Sequence, residues 1–86
     1  MNVKPLGDIE LEQHRSLSGI WLVPTEHTQA MAEALLRRYG TNTRFSIAYQ
    51  EKTGISPFTA HRNILRWKSG ANRMHADTYD ELWTML

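Results

Sequence analysis

The stretch that decides the fold is Thr53-Gly54-Ile55-Ser56-Pro57-Phe58-Thr59-Ala60-His61-Arg62-Asn63-Ile64-Leu65-Arg66-Trp67-Lys68-Ser69-Gly70. It reads as a tight turn feeding a short helix with a signal at each end. Gly54 can take the left-handed conformation that closes a preceding helix. Ser56 suits the N-cap and Pro57 the first helical position, where a missing N–H is harmless. Gly70 is a C-terminal stop. At about 100° per residue, Pro57, Ala60, His61, Ile64 and Leu65 fall on one side, which is expected to face the core. Thr59, Arg62, Asn63 and Arg66 share the other side at i, i+3, i+4 and i+7. Two guanidiniums, an amide and a hydroxyl in one stripe suit the edges of DNA bases. Arg pairs bidentately with guanine, Asn with adenine, and Thr reaches a phosphate or a thymine methyl. The bland reading of the same stripe is a solvated basic face.

Working outward, Asn42 or Thr43 is expected to cap a second helix running to about Lys52, with Ile47, Ala48 and Glu51 on adjoining faces. Before it, Thr25 is the expected cap of a helix from Glu26 to about Tyr39. Glu26 lies at its positive end, Arg37 and Arg38 at its negative end, and Gly40 closes it. Beyond Ala71-Asn72-Arg73, a fourth helix is expected from near His75 or Asp77, with Tyr79, Leu82, Trp83 and Leu86 at i, i+3, i+4 and i+7. Gly19-Ile20-Trp21-Leu22-Val23-Pro24 is a short β-prone run closed by proline. Two readings of it stand. It is a strand paired with residues 1–18 or with a second copy, or it is a non-regular cover with Trp21 as a plug. The expected architecture is mainly α: a four-helix domain over residues 25–86. Residues 1–24 form an extension with room for one or two β-strands.

At 86 residues with 41% apolar content, the chain has material for one core and none for a second, and a partner subunit would steady it. With no cysteine, disulfides and thiolate chemistry are out, which fits a reducing cytoplasm. No apolar run approaches the roughly 20 residues of a membrane span. Met1-Asn2-Val3-Lys4-Pro5 lacks the apolar core of a signal peptide, so a cytoplasmic location is expected. The net charge of +1 hides an asymmetry. Residues 43–73 carry Arg44, Lys52, Arg62, Arg66, Lys68 and Arg73 against Glu51 alone, whereas residues 74–86 carry only Asp77, Asp80 and Glu81. Positive charge gathers on the turn and its two helices, as a phosphate footprint requires.

Two helices joined by Lys52-Thr53-Gly54-Ile55-Ser56, with the second ending in Arg66-Trp67-Lys68-Ser69-Gly70, resemble the helix-turn-helix of Cro/CI-type repressors. Ala76-Asp77-Thr78-Tyr79-Asp80-Glu81-Leu82-Trp83 is similar to the helix that packs behind that motif. The resemblance covers residues 43–86. In size and style the chain is similar to the small repressors encoded by plasmids and phages, such as the plasmid Kor regulators. Gln50 stands where the family places alanine, and Asn63 where it buries an aliphatic residue. Either Asn63 reads DNA while Ile64 takes the core role, or the register shifts by one.

The resemblance implies a transcriptional repressor that binds double-stranded DNA as a homodimer on a palindromic operator. Arg62, Arg66, Asn63 and Thr59 are the expected base readers. Thr43, Arg44, Lys52, Ser56, Lys68 and Arg73 are the expected backbone contacts, which position the protein and make affinity salt-dependent. Phe58 either packs in the core or touches a thymine methyl, and Trp67 is expected as a core wedge. The dimer contact is expected at Ile20, Trp21, Leu22 and Val23, or at Trp83 and Leu86. His14, His27, His61 and His75 match no zinc spacing, and no phosphate loop or nucleophile elbow occurs. No catalysis, metal, cofactor, small-molecule effector or membrane partner is therefore expected. Two rivals remain: a protein-interaction module of antitoxin or anti-repressor type working through residues 1–24, and a DNA-binding accessory factor for recombination or replication.

Overall fold

The computed structural model describes residues 3–86; Met1 and Asn2 lie outside it. A single 3₁₀ turn at Leu6–Asp8 is followed by strands β1 (Glu12–Gln13) and β2 (Trp21–Leu22). Four helices then follow: α1 (Thr25–Tyr39), α2 (Asn42–Thr53), α3 (Pro57–Ser69) and α4 (Ala76–Trp83). The protein is thus mainly helical, with one small antiparallel sheet near the N-terminus.

The helix ends follow local chemistry. Gly40, Gly54 and Gly70 all take positive φ directly after a helix, the conformation L-residues avoid. The caps of α1 and α2 differ from expectation. Thr25 is the first residue of α1 rather than its cap, and Pro24 in the cap position offers no side-chain hydrogen bond. Thr41, and neither Asn42 nor Thr43, caps α2 by accepting the Arg44 N–H at 3.1 Å.

The run around Trp21 is a strand, though only two residues long. It pairs within the chain, Glu12 opposite Leu22 and Gln13 opposite Trp21. Its other edge meets the segment before α4, where Leu22 bridges His75 and the Val23 N–H donates to the Met74 carbonyl at 2.8 Å. Thr28, fully buried on α1, joins the same junction. Its hydroxyl donates to the Val23 carbonyl at 3.3 Å and accepts the Met74 N–H at 3.2 Å. A buried polar group needs such partners, and Thr28 has two.

The core draws on all four helices and on the segments that flank them. Val23, Met31, Leu35, Phe45, Ile64, Met74, Tyr79 and Leu82 are all fully enclosed, with Ile9 from the extension at the margin. Tyr79 sends its hydroxyl to the Lys4 carbonyl at 2.7 Å, and Tyr39 to the Met85 carbonyl at 3.0 Å. Lys4 and Met85 are thereby fastened to the helices, and Val3, Leu6, Ile9, Leu11 and Val23 join the same core as the rest. Among the described residues, no helix is long and apolar enough to cross a membrane.

Candidate nucleic-acid interface

The α2–α3 turn is built from short-range bonds. Thr53 donates its hydroxyl to the Tyr49 carbonyl at 2.7 Å and accepts the Ile55 N–H at 3.1 Å. Gly54, at φ 78 and ψ 0, returns its N–H to the Gln50 carbonyl. Ser56 then caps α3, accepting the Thr59 N–H at 3.3 Å and donating to the Thr59 hydroxyl at 3.1 Å. Pro57 opens the helix and no acidic residue occupies its first turn, so the positive end of its dipole is uncompensated.

The faces of α3 are rotated from the sequence expectation. Ala60, Ile64 and Trp67, at i, i+4 and i+7, are the buried line. Trp67 is a core wedge as expected, and Ile64 takes the aliphatic role. His61 and Leu65, expected inside, are exposed. So is Phe58, a residue 77% accessible that packs in no core. The outward surface therefore holds Phe58, His61, Arg62, Leu65 and Arg66, while Thr59 and Asn63 sit half-buried on its flank. Counting Trp67 with Ala60 and Ile64 as the inner line would have found this rotation in the sequence.

Asn63 does not stand free beside Arg62. It lines a polar groove of about 550 Å³ together with His14, Trp67, Asn72, Arg73 and His75. His14 and His75 meet there edge to face, with ring centroids 6.4 Å apart. His14 uses Nδ1 to accept the Ser16 and Leu17 N–H groups, which shapes the hairpin turn.

The expected backbone contacts divide. Thr43, Arg44, Lys52 and Lys68 are exposed. Among the described residues the two ion pairs are His27–Glu26 and Arg73–Glu12, so Arg44, Arg62, Arg66 and Lys68 are held by neither. Lys52 borders a shallow depression with Asp77, Asp80 and Glu81, which oppose its charge. Arg73 is engaged within the chain. Its Nη1 lies 3.1 Å from Glu12, its Nε donates to the Val23 carbonyl at 3.1 Å, and the side chain is half-buried. It fastens the hairpin. Ser56 likewise has its hydroxyl committed to the cap. Gln50, where the resemblance expects alanine, is exposed, and half-buried Ala48 packs against the core instead.

Of the expected dimer residues, Val23 is corrected: it is fully buried within its own chain and has no surface to offer. Ile20 and Leu22 are half-buried, whereas Trp21, Trp83 and Leu86 are exposed. Leu17 and Ile47 are exposed too, and neither is among the expected dimer residues. Among the described residues no group of three His, Asp or Glu side chains is placed to hold a metal ion.

The chain matches no protein-family model, no curated protein and no solved structure.

Proposed function

We propose that this protein is a cytoplasmic, non-enzymatic transcriptional repressor that binds a palindromic DNA operator as a homodimer and occludes a promoter. The observation that carries the reading is the outer surface of α3. Arg62 and Arg66 project from a capped helix, free of both ion pairs, and no acid weakens the positive field at its start. Inserted in a major groove, such a helix offers guanidinium forks to guanine and main-chain N–H groups to a phosphate. Arg44 and Lys68 add phosphate contacts without reading sequence. One recognition helix covers too few base pairs for a genomic address. Two copies double the site, with helices one duplex turn apart, roughly 34 Å. No resident cofactor or small-molecule effector enters this account.

Replacing both Arg62 and Arg66 with Ala is the direct test. Loss of DNA binding with an unchanged thermal midpoint supports the reading; retained binding refutes it.

A second reading draws on the hairpin, where Leu17 and Trp21 are 53% and 46% exposed. An apolar hairpin surface suits a protein-interaction module, which would bind its partner undisturbed by the arginine replacements. An accessory factor for recombination or replication would bind DNA in the same way as a repressor, and a promoter-reporter assay separates those two.

A further inference from the structure

The exposed side of α3 is not wholly basic. Phe58 is 77% exposed and Leu65 47%. Seven residues apart, they stand one above the other, within about 20° around the helix. Arg62 sits between them, four residues after Phe58 and three before Leu65. Phe58 takes part in none of the ring pairs among the described residues, whereas Phe45 stacks on Tyr49 with centroids 5.5 Å apart. Neither Phe58 nor Leu65 belongs to the core or to the partly buried rim around it. Fold stability therefore gives no reason for a phenyl ring at position 58.

The surroundings of the pair select its occupant. Arg62 and Arg66 lack ion-pair partners and the first turn of α3 has no acid, so the complement is anionic. Its contact surface must also present small apolar groups between hydrogen-bond acceptors. A DNA major groove has this pattern: guanine offers two acceptors, and thymine adds a methyl group to the same floor. An apolar protein pocket would instead have to desolvate the guanidinium between the two anchors, at a cost.

We infer that Phe58 and Leu65 read the 5-methyl groups of thymines on either side of a guanine contacted by Arg62. The inference rests on the reading of α3 as a DNA-binding helix. At about 1.5 Å per residue, Phe58 and Leu65 lie roughly 10 Å apart along the helix. That is about three base steps of roughly 3.4 Å when the helix follows the groove, which sets the expected spacing of the thymines.

Deoxyuridine in place of thymine deletes the methyl group alone. Each thymine of the tightest-binding operator is replaced in turn, and wild type, Phe58→Ala and Leu65→Ala are titrated at one salt concentration. The expected result is one position where uracil weakens wild type about fourfold, the effect of one buried methyl, and where F58A no longer distinguishes the two bases. A second position behaves in the same way towards L65A. Thermal midpoints of both variants stay at the wild-type value. Equal binding of thymine and uracil operators at every position overturns the inference while leaving DNA binding intact. So does an F58A protein that keeps the full preference for thymine. Failure to find any operator overturns both this inference and the reading beneath it.

Discussion

Arg73 reaches across the fold to Glu12, its Nη1 lying 3.1 Å from the carboxylate. The same guanidinium bonds the Val23 carbonyl through Nε at 3.1 Å. One side chain thereby ties β1, the end of β2 and the segment before α4 together. The Glu12 carboxylate is largely exposed, so the ion pair adds little, at most about 1 kcal/mol. The bond to Val23 is better shielded.

Arg73→Ala is therefore expected to destabilise the hairpin while sparing DNA affinity. The loss should be about 1–2 kcal/mol, from one charged hydrogen bond and its packing, or roughly 4–8 °C in thermal midpoint per kcal/mol. Glu12→Gln should cost under about 0.5 kcal/mol. Parallel melts and DNA titrations check both. A large loss of DNA affinity in R73A with unchanged stability would restore Arg73 as a clamp.

Gly54 and Gly70 have similar backbone angles, with φ 78 and 83, but different surroundings. A Cβ on Gly54 would meet nothing within 4 Å, whereas one on Gly70 would lie 3.0 Å from Gln29 Nε2 and 3.3 Å from Thr25 Cγ2. Gly54→Ala should cost only the left-handed strain, about 1–2 kcal/mol. Gly70→Ala should cost more, because Gln29 and Thr25 must also give way by a few tenths of an ångström, which strains the bond Gln29 donates to the Lys68 carbonyl at 3.3 Å. Urea denaturation of the two variants gives the order directly.

Alkaline stability depends on the buried phenols. Burial pushes the Tyr49 phenol above its ordinary 10.0, and the nearby Glu81 carboxylate adds to the shift. Burial raises Tyr79 as well. A raised pKa in the folded chain means that the unfolded chain ionises first. The stabilisation is present in full below pH 10.0 and is lost as pH rises through the folded value. Melts between pH 8 and 11 should show a midpoint falling at the alkaline end, with a shallower fall in Tyr49→Phe.

Salt titration separates contacts that position from contacts that read. Arg44→Ala and Lys68→Ala should each weaken binding to all DNA alike. Each should also reduce the slope of log affinity against log salt by about one. Unchanged slopes would remove both residues from the phosphate path.

The signals legible in the sequence were the local ones. Gly54, Ser56, Pro57 and Gly70 act through their own backbone preferences, and the α3 boundaries follow from them. Thr41-Asn42-Thr43 offers three adjacent caps, and propensity does not choose among them; the helix capped by Thr41 has Phe45, Ser46 and Tyr49 buried. The rotation of α3 goes unread when Leu65 is counted with Ala60 and Ile64 on the inner face; counting Trp67 there instead gives the observed line. The bonds of Arg73 are not legible in the sequence because its partners lie across the fold in the hairpin. A partner for β2 is expected among residues 1–18 and is found there, but its place at Glu12–Gln13 is not legible because those two residues carry no alternation. The half-burial of Asn63 likewise depends on a groove that the hairpin completes.

The central claim is sequence-specific reading of DNA by two copies of α3. Selection from a random duplex library at near-physiological salt, followed by titration of the recovered sites, tests it most directly. The account predicts a palindrome with half-site centres about 10 base pairs apart, bound at least about a thousandfold more tightly than random DNA. Recovery of no motif, with equally weak binding to every duplex, would contradict it.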